Sequence, residues 1–399
     1  MHIFVLLYAD DTVILAENAA DMQNSLKVFE EYCSKWKLSL NVDKTKIIIF
    51  SRKKLQKHNE FEIYGSNIEI VDSYSYLGLL FNYNGKFTCA RKKLTEQAKK
   101  ALYALYRKIR NMSVPVDLQL RLFDSLVLPV LLYSSEIWGF ENIDIIEKVH
   151  LQFLKRILNV KSSTPNFMVY GETGRYPLDI HMKLRMLNFW MKLVNNSSKL
   201  SGMLYKLLLQ LHNDGLCKSK WLSFVQSILD KTGFSYIWEN QFTGICFTEI
   251  NLQIKKILQD QFVQKWRSDI SNSSRGIFYS IFKTDFCLEN YLLRLVKKRR
   301  ITISKFRCSN IKFPVETGRW KNIVREKRIC TLCNRGIGDE FHYLFLCGNK
   351  DIASMRDKYI PEYYVKYSSE RKLKGMLSLC NNKVLNNLSI FLTKIVKLL

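Results

Sequence analysis

The chain has 399 residues, with 62 lysines and arginines against 36 aspartates and glutamates, which gives a formal net charge of +26. Hydrophobic residues make up 47% and aromatic residues 13%. This composition excludes an intrinsically disordered chain, and the length allows two or three domains with sizeable cores. The positive excess favours a polyanionic partner, with nucleic acid as the leading candidate and an anionic membrane surface as the alternative.

The apolar runs are too short to support a membrane protein. No run approaches the roughly 20 residues that a spanning helix needs, and the opening run, residues 3–7, lacks the basic flank of a signal peptide. The ten cysteines are compatible with reduced thiols, so we expect no disulfide framework. These features predict a soluble intracellular protein, nuclear or cytoplasmic, without a membrane partner.

The first predicted element is a tight β-hairpin with two adjacent carboxylates at its turn. Apolar runs at 3–7 and 12–16 flank Tyr8, Ala9, Asp10 and Asp11, and aspartate is common in such turns. Paired carboxylates suit hard divalent cations, which prefer oxygen ligands. The pattern therefore predicts either a site for two-metal phosphoryl transfer or an acidic surface turn without a function.

The string Leu-Leu-Tyr-Ala-Asp-Asp-Thr-Val-Ile-Leu-Ala at 6–16 resembles the catalytic hairpin of reverse transcriptases. The resemblance implies that Asp10 and Asp11 bind Mg²⁺, with Asp10 the surer ligand, and that Tyr8 forms a wall beside them. In that family a further metal-binding aspartate, the fingers and half of the palm precede this hairpin, whereas only nine residues precede Asp10 here. We therefore expect a truncated reverse transcriptase that is inactive as an isolated chain.

Strand and helix signals alternate over the first 84 residues. Asn18 and Asp21 predict a capped helix start, and an apolar stripe then recurs at helical spacing: Met22, Leu26, Phe29, Cys33 and Trp36. Strands are predicted at 38–42 and 47–50, and a hairpin at 62–71 with its turn at 65–67. The order hairpin, helix, strand is that of the second half of a split βαβ palm.

Two further segments have counterparts in reverse transcriptases. The resemblance implies that Lys44, with Lys46 as the alternate, approaches the departing pyrophosphate, although a lysine at a turn is more often merely solvated. The string 74–81 resembles the primer-grip strand, which implies substrate contacts for Tyr76, Leu77 and Gly78. The glycine would let the backbone approach the primer end closely.

From Thr88 the pattern becomes mostly helical. Between Gly85 and Arg110 nine basic residues stand against one acid, which favours phosphate binding over a merely solvated face. A polymerase thumb would lie here, directly after the palm, and the strings 123–129 and 133–139 resemble the thumb of LINE-type (non-LTR) retrotransposon polymerases. The candidate nucleic-acid-binding residues are Arg91, Lys92, Lys93, Lys99 and Lys100.

The second chemical constellation is Cys330-x2-Cys333-x8-His342-x4-Cys347. Four soft or borderline ligands of this kind hold zinc in a tetrahedron with no open position, so we predict a structural Zn²⁺ site. Gly336 and Gly338 would let the connecting loop turn back. Iron, or free thiols without a metal, stay open as alternatives.

A basic segment precedes this constellation. Between Asn290 and Cys330 thirteen basic residues stand against two acids, with aromatic residues interleaved. Basic side chains neutralise phosphates and aromatic rings stack on unpaired bases, so we predict nucleic-acid binding here, and the run 297–300 also fits a nuclear localisation signal. The candidates are Lys297, Lys298, Arg299, Arg300, Arg319 and Trp320. The order of these features resembles the C-terminal region of LINE-type elements.

We therefore predict an α+β protein in three parts. A partial polymerase palm, an antiparallel sheet plus a helix, occupies residues 1–84. A helical thumb follows at 85–195, and a helical C-terminal domain at 196–399 contains a zinc knuckle at 330–347. The resemblance implies RNA-templated DNA synthesis in the parent protein, with Mg²⁺ at the polymerase site and with an RNA template and a DNA primer or target as partners. A non-catalytic nucleic-acid-binding module is the alternative, and a group II intron maturase a weaker one.

Overall fold

The computed structural model describes residues 5–53, 60–196, 198–241, 247–378 and 381–399. Residues 3 and 4 of the first predicted strand lie outside this part of the chain. The chain divides into two compact units, Met1–Leu94 and Thr95–Leu399. The described elements are mostly helices with small two-stranded sheets, so the predicted α+β class is confirmed. None of the helices in the described ranges has the length and apolar character needed to cross a membrane.

Over its described residues, 5–53 and 60–94, the first unit contains four strand pairs and one complete helix. Three pairs are antiparallel, β1 with β2, β4 with β5 and β7 with β8, whereas β3 and β6 pair in parallel. The elements are β1 (Val5–Tyr8), β2 (Asp11–Ile14), α1 (Ala19–Lys35), β3 (Lys46–Ile47), β4 (Glu62–Ile63), β5 (Ser66–Asn67), β6 (Glu69–Ile70), β7 (Ser73–Tyr76) and β8 (Leu79–Asn82). Helix α2 (Thr88–Ile109) begins in this unit.

Helix α1 begins where the sequence predicts. The Asp21 backbone N–H donates to Asn18 Oδ1 at 2.9 Å, and the Asn18 amide donates back to the Asp21 carboxylate at 2.7 Å. Leu26 is buried in the core of the first unit with Ile47 and residues of β4. The apolar stripe is expected to face the core, and this expectation is wrong at its last position, because Trp36 is 62% exposed.

The strand predictions in this unit need correction. Residues 38–42 form no strand, although Leu40 and Val42 pack against the core from an irregular segment, and the predicted strand at 47–50 is reduced to β3. A hairpin forms over 62–67 with its turn at Tyr64 and Gly65, where φ is 52° and 68°. The prediction of a hairpin extending to 71 is wrong, because β6 pairs in parallel with β3. Two consecutive left-handed residues match the right-handed twist of the flanking strands. A two-residue turn at 64–65 is therefore preferred to the predicted turn at 65–67.

The second unit is helical. Its elements after α2 are α3 (Val116–Leu126), α4 (Leu128–Leu131), α5 (Ser135–Trp138), α6 (Asp144–Leu158), α7 (Asn166–Thr173), α8 (Leu178–Asn195), α9 (Leu200–Asn213), α10 (Lys220–Thr232), α11 (Ser235–Asn240), α12 (Phe247–Ser271), α13 (Gly276–Phe282), α14 (Asn290–Arg294), α15 (Lys297–Arg307), α16 (Pro314–Trp320), α17 (Lys350–Tyr359), α18 (Glu362–Val365), α19 (Glu370–Ser378) and α20 (Asn382–Leu398). A 3₁₀ turn, Arg325–Lys327, and a π-helical turn, His342–Leu346, separate α16 from α17.

One hydrophobic core joins α8 to the helices that follow it. Trp190 of α8 stacks on Trp238 of α11 with ring centroids 5.7 Å apart, and Leu222 and Ile254 are buried in the same cluster. The cluster therefore contains residues on both sides of position 195, where we predict a domain boundary. The division into three domains stays a prediction.

The strings that resemble a thumb are partly buried: Leu126 and Tyr133 are exposed, whereas Phe123 and Trp138 are buried. Trp138 is fully buried, and its Nε1–H donates to the Tyr133 carbonyl at 2.8 Å. Phe123 stacks on Phe153 of α6 with ring centroids 4.4 Å apart. Phe123 therefore packs α3 against α6, and the Tyr133 carbonyl fixes the indole of Trp138.

Gly174 ends α7 at a place where a side chain has no room. Its φ is 61°, and a Cβ there would lie 2.4 Å from the Leu288 backbone nitrogen. We expect Gly174→Ala to lower the free energy of unfolding by about 2 kcal/mol or more, because the left-handed conformation alone costs roughly 1–2 kcal/mol once a Cβ is present. Gly233→Ala is the matched control, since Gly233 has a φ of 81° and nothing lies within 4 Å of its Cβ position. Equal losses for the two variants in urea unfolding would contradict the close approach.

Candidate metal and nucleic-acid sites

The hairpin of β1 and β2 presents both aspartates to solvent. Tyr8 pairs with Asp11, which leaves Ala9 and Asp10 as the two turn residues, and Ala9 has a φ of 51°. Directly opposed residues of an antiparallel pair share a face, so the Tyr8 ring lies beside the Asp11 carboxylate. Asp10 and Asp11 are exposed, and both carboxylates are accessible to a cation.

The same hairpin exposes apolar side chains. Val5 is 45% and Leu7 is 72% exposed, while Ile14 at the far end of β2 packs against the core of the first unit. Within the described residues β1 and β2 pair only with each other, so both outer edges of the hairpin keep unpaired backbone groups. Such an edge is open to pairing with another strand.

The structure distinguishes the two lysine candidates for the pyrophosphate. Lys44 lies in a turn, its N–H donates to Asn41 Oδ1 at 3.0 Å and its carbonyl accepts from the Tyr74 hydroxyl at 3.0 Å. Its side chain is exposed. Lys46 instead forms an ion pair with Glu69, with Nζ 3.0 Å from Oε2. Lys44 is therefore the more exposed of the two, and its contact with a pyrophosphate stays a prediction.

The segment that resembles a primer grip is a hairpin and not a single strand. Strands β7 and β8 pair with Tyr76 opposite Leu79, and the turn residues Leu77 and Gly78 have φ values of 48° and 79°. Gly78 therefore serves the turn, because only a residue without a Cβ enters the left-handed region at no steric cost. Tyr76 and Leu77 lie at the tip of this hairpin.

The basic candidates differ in exposure. On α2 the side chains of Lys92, Lys99 and Lys100 are exposed, Lys93 donates to Ser75 Oγ at 3.1 Å, and Arg91 is buried. On α15 Lys297 and Lys298 are exposed, Arg299 is half-buried and Arg300 is buried. The exposed lysines of these two helices are therefore accessible from solvent. Their positions in the sequence alone do not distinguish them from the buried arginines.

Cys330, Cys333, His342 and Cys347 converge on one point. Their ligand atoms all lie within 4.8 Å of one another, with Cys330 Sγ 3.9 Å from Cys347 Sγ and Cys333 Sγ 3.3 Å from His342 Nε2. A zinc ion with Zn–S bonds of about 2.3 Å would set its sulfur ligands roughly 3.8 Å apart in a tetrahedron. The distance between Cys330 Sγ and Cys347 Sγ is close to this spacing, so the four side chains form a set able to hold a zinc ion.

Local backbone geometry brings the four ligands together. Gly336 has a φ of 72° and accepts from the Cys330 N–H at 3.0 Å, which folds the loop back beside the first cysteine. His342 begins the π-helical turn, and the Cys347 N–H donates to the His342 carbonyl at 2.8 Å. Gly336 therefore lets the loop turn back as predicted.

Burial and hydrogen bonding shift the pKa values of three of the four cluster residues in different directions. Burial raises the pKa of the Cys347 thiol to about 12, and burial lowers the pKa of His342, which keeps the imidazole neutral and able to bind a metal. Burial opposes ionisation of Cys333 too, but the Arg335 N–H and the neighbouring thiols outweigh it and lower its pKa. A divalent ion would stabilise the thiolates that burial otherwise disfavours.

Helix α16 is attached to the Cys/His cluster. The Val315 N–H donates to the Gly338 carbonyl at 3.1 Å, and Phe313 stacks on Tyr343 with ring centroids 4.6 Å apart. Trp320 at the end of α16 is 54% exposed. Sequence reasoning missed Lys161 and Arg275, which lie beside this helix and which no local pattern marks.

Comparisons with known proteins agree with the resemblance stated for the hairpin. Residues 1–81 match the family described as reverse transcriptase (RNA-dependent DNA polymerase). A putative uncharacterized transposon-derived protein of Caenorhabditis elegans is 29% identical over 143 residues, which are 34% of this chain and 48% of that protein. The match thus spans about half the length of this relative. No solved structure matches the chain.

These findings confirm the predicted class, a reverse transcriptase, on the residues that carry the hairpin. The relative is described as transposon-derived, which agrees with the resemblance to LINE-type elements predicted from the sequence. Reverse transcriptases act on nucleic acid and use divalent metal ions, and the Cys/His cluster provides a set of side chains able to hold zinc.

Proposed function

We propose that this chain is the part of a LINE-type reverse transcriptase that runs from the catalytic hairpin through a thumb to a zinc-containing C-terminal domain. The observation that carries the proposal is the exposed Asp10–Asp11 pair at the turn of a hairpin within the family match. In the parent protein the activity would be RNA-templated DNA synthesis by two-metal nucleotidyl transfer.

In this proposal the residues of the first unit have distinct roles. Asp10 and Asp11 bind Mg²⁺, which would stabilise the charge on the attacking and leaving oxygens. Tyr8 shields the Asp11 side of the site, and Lys44 neutralises charge on the departing pyrophosphate. The tip of the β7–β8 hairpin, Tyr76 to Gly78, contacts the primer.

We further propose that residues 1–399 alone grip nucleic acid without extending a primer. In two-metal catalysis carboxylates enclose both ions, and the carboxylates at this turn come from one exposed hairpin. Among the described residues, the Cys/His cluster brings three or more metal-binding side chains close together. Asp10 and Asp11 do not belong to such a group there. The alternative function, a nucleic-acid-binding module without chemistry, is favoured by the exposed lysines of α2 and α15.

Primer extension and filter binding test this proposal on purified residues 1–399. With Mg²⁺ and a DNA primer on an RNA template we expect no extension. We expect binding that weakens about 10-fold or more between 50 and 200 mM salt, because each neutralised phosphate contributes about 0.9 to the logarithmic salt slope. Asp10→Ala should bind as tightly as the unchanged chain.

Two outcomes would contradict these expectations. Steady nucleotide incorporation that disappears in Asp10→Ala would show that the chain is an active polymerase. Binding that does not change with salt would contradict the phosphate contacts assigned to the exposed lysines.

A further inference from the structure

Four cations surround one buried carboxylate near the Cys/His cluster. Glu316 of α16 is only 3% exposed; Arg275 Nε lies 3.8 Å from its Oε2 and Arg319 Nη1 3.4 Å from its Oε1. Burial raises the pKa of Glu316, and the positive charges of Arg319, Arg275, Arg328 and Lys161 oppose that shift. A second buried carboxylate, Glu340, also acts on Arg319, so two carboxylates stand against four cations and this surface is net positive.

The cations come from separate parts of the chain and are held by backbone carbonyls. Arg275 donates to the Ser163 carbonyl and Arg319 to the Ser274 carbonyl, each at 2.9 Å. Arg328 donates to the Val315 carbonyl at 2.8 Å. Because these bonds already fix the guanidinium groups, little side-chain freedom would be lost when an anion binds.

An exposed aromatic ring lies next to these cations. Lys161 Nζ lies 4.3 Å from the centroid of the Trp320 ring, yet 54% of Trp320 is exposed. The Lys161 backbone N–H donates to Asn310 Oδ1 at 2.9 Å, which fixes the loop between α6 and α7 beside α16. An aromatic face adjacent to a group of cations matches a nucleotide, whose base stacks while its phosphate meets positive charge.

We propose that Trp320 and the cations around Glu316 form a binding site for one unpaired nucleotide of an RNA or DNA strand. The base stacks on the exposed part of Trp320, and Lys161 and Arg275 bind its phosphate, while Arg319 and Arg328 are positioning residues. This proposal rests on the proposed nucleic-acid binding and adds the substrate class, since duplex bases are already stacked and paired. It assigns a function to Lys161 and Arg275, which lie more than 40 residues from Trp320 along the sequence.

Fluorescence anisotropy with the full chain tests the site. The probes are labelled 12-nucleotide oligo(U), oligo(dT) and a blunt 12-base-pair duplex. We expect Trp320→Ala to weaken single-strand binding about 10-fold, a loss within the range of one base–aromatic stack, and to change duplex binding less than 2-fold. Trp320→Phe should retain most of the single-strand affinity, because the phenyl ring still stacks. Trp36→Ala is the matched control, as Trp36 is a 62% exposed tryptophan of the first unit.

The phosphate contact has its own test. Lys161→Ala should weaken single-strand binding and reduce the logarithmic salt slope by about 1, as expected for one lost phosphate contact. Lys206→Ala, an exposed lysine on α9, should leave both unchanged. A preference between oligo(U) and oligo(dT) shows which of these two strands the site binds more tightly.

Three results separate the possible failures. Unchanged single-strand binding in Trp320→Ala would overturn the nucleotide site. Equal losses on single strand and duplex would also overturn it, because they indicate a contact that does not require an unpaired base. If the unchanged chain binds neither probe, the proposed nucleic-acid binding itself fails.

Discussion

Replacing Arg307 by leucine is expected to lower the free energy of unfolding of the second unit by about 3–5 kcal/mol, because it leaves a buried carboxylate without its cation. Arg307 Nε donates to Glu172 Oε2 at 2.7 Å and Nη2 donates to Oε1 at 3.0 Å. The Tyr291 hydroxyl also donates to Glu172 Oε2, at 2.7 Å. Both charged side chains are almost completely buried.

The same network joins several helices of the second unit. Arg307 of α15 also pairs with Glu289 at 3.0 Å and donates to the Leu377 carbonyl of α19 at 3.0 Å. Glu289 in turn pairs with Lys283. Loss of Arg307 therefore removes a donor from Glu172 of α7, from Glu289 just before α14 and from the Leu377 carbonyl of α19. The cost of breaking such a network exceeds that of one exposed ion pair.

The pH dependence of this loss has a definite sign. Burial opposes ionisation of Glu172, but Arg307 outweighs it and lowers the pKa of Glu172 below its ordinary value of 4.5. A group with a lowered folded-state pKa contributes stability above its unfolded pKa, and that contribution is lost as pH falls through the folded pKa. The difference between the unchanged chain and Arg307→Leu should therefore be largest near neutral pH and shrink in acid.

Urea unfolding followed by circular dichroism measures both effects. Lys183→Ala is the control, because Lys183 pairs with Asp179 on the exposed face of α8 and such surface pairs contribute about 0–1 kcal/mol. The double variant Glu172→Leu with Arg307→Leu should recover part of the lost stability, since it removes the uncompensated charge. A loss in Arg307→Leu no larger than that in Lys183→Ala would contradict a structural role for the network.

Substituting Cys333 by serine is expected to remove the metal from the C-terminal part of the second unit. The purified chain should contain about one zinc per molecule, whereas Cys333→Ser should contain almost none after dialysis, because structural zinc needs all four ligands. Since metal binding and folding of such knuckles are coupled, trypsin should cleave the variant faster at Arg328 and Arg335, which lie beside the cluster.

Cys217→Ser provides the matched control for this experiment. Cys217 is an exposed free cysteine outside the cluster, so its loss should change neither zinc content nor the rate of cleavage. Chelation of the unchanged chain should also weaken single-strand binding at Trp320, because the Gly338 carbonyl beside the cluster holds α16 through Val315. A metal-free chain that resists trypsin as well as the zinc-bound chain would contradict a structural metal site.

The amino-acid sequence by itself determines the elements whose signals are local. The Asn18–Asp21 cap, the hairpin that presents Asp10 and Asp11, and the four ligands between Cys330 and Cys347 each depend on residues close together in the chain. Turn and cap preferences act over a few residues, and metal-ligand spacing over a short loop. These features could therefore be predicted without knowledge of the rest of the fold.

Other local predictions fail because nearby patterns do not decide which strands pair. Residues 38–42 alternate as a strand would, yet they form an irregular segment over the core. The string 74–81 is apolar enough for one strand, but Leu77 and Gly78 adopt left-handed conformations and divide it into β7 and β8. Strand formation requires a partner, and the pairing of short strands is a tertiary property.

Tertiary structure alone decided which charged residues are buried and which meet one another. Arg91 and Arg300 lie in basic runs that resemble their exposed neighbours, but the fold buries both. Glu172 meets Arg307 across 135 residues of sequence, and Lys161 meets Trp320 across a longer separation than any local pattern covers. Burial and long-range charge pairing depend on how the helices pack, and no periodicity within a helix encodes its partners.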